Sequence, residues 1–266
     1  MYKYIAGLGS KEAEFLSLFS SRGGQFAHAA AVEFWGSRAV ASRQLYRLQK
    51  KNWLVRLERG KYMIIPLEAG VDRQWAGDPY LVATSLVKPA AIAYSTAIRH
   101  WGWTEGEERP VCIQTTTRKN VTGRTVGAVR YEFITLRQTK FFGHITEVHQ
   151  GTSVLVTDRE KTLIDAADDV ERAGGVHAVV AAVRGAAGEI LWPKLEDYGL
   201  RFPNRSALKR LGFIVESEMR DIPAEGRRML ERWRTHLSAG VVLLQPGEER
   251  KGRISTRWRV HVNVSG

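Results

Sequence analysis

A chain of 266 residues, 44% hydrophobic and with eight tryptophans, is long enough for two domains and too apolar to be disordered. No apolar run reaches the roughly 20 residues that a membrane-crossing helix needs, and the single cysteine, Cys112, excludes an intrachain disulfide and fits a reducing compartment. The formal charge of +12 points to a polyanionic partner, and it is unevenly spread: residues 38–61 hold eight Arg or Lys against Glu58 alone, whereas residues 158–266 hold nineteen basic and sixteen acidic groups.

In chain order, the opening MYKYIAGLGSKEAEF lacks the basic, apolar, small-residue succession of an export signal, so a cytoplasmic location is expected. SKEAEFLSLFSSRGG predicts a first helix with Ser10 as N-cap, Phe15, Leu18 and Phe19 along one stripe, and Gly23-Gly24 as its stop. QFAHAAAVEFWGS predicts a short second helix ended by Gly36. A third helix runs from near Ser37 to about Lys51. On it Ala41, Leu45 and Leu48 recur at i, i+4 and i+7 and share a buried face, while Arg43, Tyr46, Arg47 and Lys50 occupy the opposite one. NWLVRLERGKYMII then alternates as two short strands around a three-residue loop, Glu58-Arg59-Gly60, with the glycine at its left-handed position.

Helix, helix, basic helix and hairpin make a winged helix-turn-helix. Such a helix fits the major groove, where arginine addresses guanine and tyrosine approaches a thymine methyl or the backbone. The hairpin's Arg56, Arg59 and Lys61 would lie along phosphates or the minor groove. The competing interpretation is a solvated basic helix with no nucleic-acid role, and winged helices also serve as protein-docking modules. DNA binding is favoured because the wing, the turn glycine and the one-sided charge agree.

PLEAGVDRQWAGDP, residues 66–79, breaks both periodicities and marks the domain boundary, giving domains at 1–75 and 76–266. Beyond it, PYLVATSLVKP predicts a short helix opened by Pro79, and PAAIAYSTAIRHWGW another, opened by Pro89 and closed by Gly102. PVCIQTT, VRYEFITL, GHITEVH and TSVLVT predict strands of a small mixed or antiparallel sheet. TDREKTLIDAADDV predicts a helix begun by a Thr157–Glu160 capping box, with Leu163, Ile164 and Ala167 inside. GVHAVVAAVRGAAG predicts a helix buried almost all round. PNRSALKRLGFIVESEM predicts an amphipathic one with Leu208, Leu211 and Val215 inside and Gly212 free for close packing, and the C-terminal stretch reads as two strands across a charged turn. The expected class is α+β: a winged helix-turn-helix followed by a larger mixed α/β domain.

In their order, these segments resemble the AbiEi antitoxins of bacterial type IV toxin–antitoxin and phage-defence operons. The likeness is carried by LYRLQKKNWLVRLERGKYMI, VKPAAIAYSTAIRHWGW, KFFGHITEVHQGTSVLVTDREKTLID, NRSALKRLGFIVE and STRWRVHVN, which together span nearly the whole chain. The resemblance implies a winged helix that binds inverted repeats in its own promoter and represses it. It also implies a C-terminal domain that counteracts a nucleotidyltransferase-type toxin without a required stable complex. Carried over, the DNA-contact positions are Arg43, Tyr46, Arg47, Lys50, Arg56, Arg59 and Lys61; Ser42 and Lys51, on the same basic stretch, complete the expected DNA-binding set.

Catalysis finds little support in the residues. Glu160 and Lys161 are adjacent at a helix start, unlike the carboxylate and lysine two apart on a strand that metal-dependent nucleases need. An acid there is explained by the helix dipole. Asp165, Asp168 and Asp169 share one face, read as a solvated acidic face. His144 and His149 point to opposite sides of one strand, His28 and His100 sit alone on helices, and no zinc spacing or phosphate-binding glycine loop occurs. The expectation is therefore a non-enzymatic protein with no cofactor, no metal and no membrane. Its partner is expected to be double-stranded operator DNA. Two alternatives stand beside it: an ordinary winged-helix regulator with a ligand-sensing or pairing domain, and a winged-helix-targeted nuclease. The basic stretch RRMLERWRTH is a further candidate for touching nucleic acid, its mixed signs more often marking an exposed helix.

Overall fold

A computed structural model describes residues 7–65, 78–105, 110–126, 129–149 and 151–264. The expected domain boundary at 66–79 lies, up to residue 77, outside the described residues. Contacts divide the chain into two units, Met1–Leu86 with Arg124–Arg130, and Val87–Gly123 with Tyr131–Gly266.

In the first unit the order is α1 (Ser10–Ser20), β1 (Gln25–Ala27), α2 (His28–Trp35), α3 (Arg38–Lys50), β2 (Leu54–Glu58), β3 (Lys61–Ile64) and α4 (Pro79–Leu86). The strands form an antiparallel sheet in the order β1-β3-β2. This is a winged helix-turn-helix. Its core is aromatic: Phe15 packs on Trp35 with ring centroids 4.1 Å apart and edge-on to Phe26 at 5.0 Å, a geometry that suits ring quadrupoles.

Four local features differ from expectation. The N-cap of α1 is Gly9, whose N–H donates to Glu12 Oε2 at 3.0 Å, and Ser10 lies inside the helix. Leu16, not Leu18, joins Phe15 and Phe19 on the buried face. The first residues of the second helical segment form β1 instead, because Phe26 pairs with Tyr62 in the sheet and buries its ring there. In the wing Glu58 pairs directly with Lys61, so the loop is Arg59-Gly60 alone, two residues and not three. The extra residue is absorbed as a register shift between Arg56 and Glu58. Gly60, at φ 80°, supplies the left-handed backbone the turn requires.

The second unit holds most of a mixed sheet, of which residues 124–130 are grouped with the first. Its strands are β4 (Ala91–Ile92), β5 (Val111–Thr115), β6 (Gly123–Val126), β7 (Val129–Thr135), β8 (His144–His149) and β9 (Thr152–Thr157), in the order β6-β7-β5-β4-β9-β8. β4 replaces the first turn of an expected helix. Ala91 and Ile92 bond to β5 on one side and β9 on the other, and that double pairing overrides alanine's helix propensity. The helix α5 (Tyr94–His100) begins only after it.

The remaining helices are α6 (Arg159–Asp168), α7 (Val170–Ala173), α8 (Val176–Ala186), α9 (Trp192–Arg201), α10 (Arg205–Glu218) and α11 (Ala224–Thr235). A small sheet, β10 (Val242–Leu243), β12 (Val260–Val262) and β11 (Arg253–Ser255) in that spatial order, closes the chain with three strands where two were expected. α6 is central: α5, α7, α8, α9 and α10 all pack on it, and Glu160 through Ala167 are buried without interruption. Its cap is Asp158, whose Oδ1 accepts from Lys161 N at 2.8 Å. The Thr157–Glu160 box does not form, since Glu160 turns away to accept from Leu191 N at 2.9 Å. α8 is amphipathic, with His177 and Arg184 exposed, and is not buried all round.

Tryptophans seat on helix glycines. Trp258 lies over Gly212 of α10 and Trp233 over Gly199 of α9, each so close that a Cβ on the glycine would fall against the ring. Trp258 is also fixed by its indole N–H, which donates to Glu216 Oε2 at 2.7 Å. Gly212→Ala is therefore expected to destabilise by about 1–3 kcal/mol, the usual range for overpacking a tight core, although alanine favours helix. Chemical denaturation followed by tryptophan fluorescence checks this; unchanged or increased stability would mean that Trp258 moves aside at little cost.

Candidate nucleic-acid interface

The rotation of α3 is set by Ala41, Leu45 and Leu48, which are 0–1% exposed. Helical geometry then sends Arg38, Ser42, Arg43, Tyr46, Arg47 and Lys50 outward, and all six are exposed. Tyr46 keeps 60% of its surface in solvent, unusual for a large aromatic side chain, and Lys50 Nζ lies 5.6 Å from its ring centroid. Among the described residues, Arg38, Arg43, Arg47, Lys50 and Arg59 pair with no carboxylate.

The remaining predicted cations are engaged inside the unit. Lys51, the C-cap of α3, forms an ion pair with Glu12 at 3.0 Å and donates to Gly7 O, so it ties the end of α3 to the start of α1. Lys61 pairs with Glu58 at 2.6 Å across the base of the wing turn, and Arg56 Nε donates to Glu58 O at 3.3 Å. The structure thus brings Ser42, Arg43, Tyr46, Arg47 and Lys50 together on one helix face with Arg59 on the wing turn. It sets Lys51 apart in a structural pair.

Two residues were missed by the sequence analysis. Arg38 lies one turn before Ser42 on the same helix, and the helical phase alone would have found it. His28 opens α2, and its Nε2 lies 3.0 Å from Ser42 Oγ. No local signal marks that contact, which spans fourteen residues of chain.

In the second unit the predicted acidic face of α6 is not solvated. Asp165 is 1% exposed; its carboxylate pairs with the fully buried Lys161 one turn away and accepts from Gln114 Nε2 at 2.7 Å. Burial raises the Asp165 pKa, with the Lys161 ammonium and the Gln114 bond opposing that rise. Asp168 bonds Lys140 and Asn204, each at 2.5 Å. Lys161 also lies over the rings of Phe142 and Phe202, at 5.1 and 5.5 Å. Nearer the surface Lys194 bridges Asp158 at 3.1 Å and Glu160 at 2.9 Å. The Tyr198 hydroxyl donates to Asp158 at 3.0 Å; burial first, then Asp158, pushes its pKa up to about 12. The carboxylates of this strand–helix junction are thus neutralised by lysines and side-chain donors. Among the described residues no group of three His, Cys, Asp or Glu could hold a metal ion, and no helix is long and apolar enough to cross a membrane.

No family model matches the sequence, and no curated protein does either. Among solved structures, the chain is similar to the crystal structure of the RV2827C protein from Mycobacterium tuberculosis. The TM-score is 0.66 at 15% identity, over 95% of this chain and 91% of that one. At that identity the likeness is one of fold.

His144 on β8 gives a pH test of the second unit. Its Nε2 is buried with no hydrogen-bond partner among the described residues, and burial together with the Lys161 charge lowers its pKa to about 4. The imidazole stays neutral in the folded chain but ionises near 6.5 once unfolded. Its contribution to stability is complete above about pH 6.5 and is lost as the pH falls toward 4. His144→Gln should therefore lose less Tm than the wild type between pH 7 and pH 4.5, as followed by circular dichroism melts. Equal losses would show that His144 does not titrate in this way.

Proposed function

We propose that this protein is a DNA-binding antitoxin of a type IV toxin–antitoxin or phage-defence operon. It represses its own promoter through the winged helix and counteracts a nucleotidyltransferase-type toxin through its second unit. The observation that carries the DNA-binding half is the outer face of α3, where arginines without acidic partners among the described residues flank an exposed tyrosine, with Arg59 on the adjoining wing turn. Unpaired arginines held on a rigid helix keep their full charge and donor geometry for guanine edges and phosphates. Repression would follow from occlusion, the protein occupying duplex that polymerase needs.

The toxin-counteracting half rests on the AbiEi-like segments and is assigned to no particular residues. The protein acts in the cytoplasm, on DNA, without metal or cofactor. In this assignment Arg43 and Arg47 address bases, and Lys50 and Arg59 address phosphates. Arg56 and Lys61 reach phosphates only by leaving Glu58, and Lys51 only by leaving Glu12.

Binding to a duplex from the region upstream of the gene should weaken with salt. The slope of log affinity against log salt should be about −4 to −5 if roughly five cations neutralise phosphates. Arg43→Ala with Arg47→Ala should cut affinity for that duplex about 10- to 100-fold and erase its preference over a scrambled one, leaving the melting temperature unchanged. Binding without salt dependence, or a preference that survives the double substitution, would refute this assignment. The antitoxin half is tested by co-expression with the open reading frame next to the gene, which should poison cells alone and spare them when this protein is present. Poisoning that persists would reject it.

A further inference from the structure

We infer that His28 is a positioning residue for DNA reading, which sets the spacing between the basic helix and the turn of the wing; the inference rests on the DNA-binding assignment above. His28 belongs to neither element, yet it holds both. Its backbone N–H donates to Gly60 O in the wing turn at 2.7 Å, and its Nε2 meets Ser42 Oγ on α3 at 3.0 Å.

The two anchor points adjoin side chains that face outward. Gly60 follows Arg59 directly, and Ser42 precedes Arg43 and lies one turn from both Arg38 and Tyr46. At the other end of the hairpin the tie to α3 is backbone, Trp53 N–H to Leu48 O at 2.8 Å. At the turn end, the His28–Ser42 bond joins α3 to the strand of contacts that runs through α2 to Gly60. Without it the wing turn keeps its bond to α2 but loses this side-chain link to α3.

The consequence for binding is physical. A rigid duplex rewards a second contact in full only when the spacing of the two contacts is set beforehand; otherwise ordering the second consumes part of its gain. The benefit of Arg59 should therefore depend on His28, although His28 need not touch DNA. A residue that only supported the fold would lower stability and leave the Arg59 contribution unchanged.

A double-mutant cycle on the full chain tests this, with the upstream duplex as probe and a scrambled duplex of equal length as reference. In the wild-type background Arg59→Ala should weaken upstream binding about tenfold. In the His28→Ala background the same substitution should change it less than twofold. Ser42→Ala, which removes the partner hydroxyl and keeps the ring, should likewise abolish the Arg59 effect. His28→Gln places an amide nitrogen near the position of Nε2 and should restore it. Should His28→Ala fail to fold, Ser42→Ala and His28→Gln carry the test. Equal Arg59→Ala losses in all backgrounds overturn the inference while leaving the DNA-binding assignment in place. Failure of the wild type to prefer the upstream duplex overturns both.

Discussion

The N-terminal unit depends on the need to keep Leu45 and Leu48 out of water. Burying each fully is worth about 1.5–3 kcal/mol, and a rigid helix cannot bury them without fixing the direction of every other side chain it carries. Turning α3 by half a revolution would expose both leucines and drive three arginines toward Phe15 and Trp35, a cost that no packing gain offsets. The exposed basic face is therefore a consequence of the core. The aromatic cluster behind α3, Phe15, Phe19, Phe26 and Trp35, gives those leucines a surface to rest on.

The second unit meets the opposite problem. α6 is surrounded by helices and yet carries Glu160, Lys161 and Asp165. A charge removed from water is costly unless it is paired and bonded, and each of these three has a partner supplied from outside the helix or one turn along it. Lys161 and Asp165 satisfy each other, Gln114 of β5 completes Asp165, and Lys194 of α9 reaches back to Glu160. The polar groups of α6 thereby specify which neighbours pack against it, while Leu163, Ile164 and Ala167 supply the burial. The tryptophans that cover Gly199 and Gly212 let α9 and α10 accept large rings without widening the core.

The likeness in fold to the RV2827C protein, at 15% identity, fits a chain whose architecture is set by pattern more than by particular residues. Fold alone does not carry function. Function is proposed from side chains: an aromatic left in solvent and arginines that, among the described residues, have no acidic partner. Lys51 and Lys61 show the contrast. They belong to the same run of charge, but Glu12 and Glu58 give them work within the unit.

The sequence by itself determined the three helices and the hairpin of the N-terminal unit, the inward face of α3, four of the six strands of the mixed sheet and the small residue at position 212. Each follows from short-range periodicity or from the steric demands of one residue, which a linear chain displays openly. Tertiary structure alone decided what depends on groups far apart in the chain. Ala91 and Ile92 became a strand because two other strands flank them. Glu160 left its expected cap because Leu191 N–H needed an acceptor, and Asp165 went inside because Lys161 and Gln114 met it there. The same holds for Lys51 and His28, whose partners lie 39 and 14 residues away. Pairings over such distances leave no periodic trace, since their stability comes from burial and geometry that exist only once the chain has closed on itself.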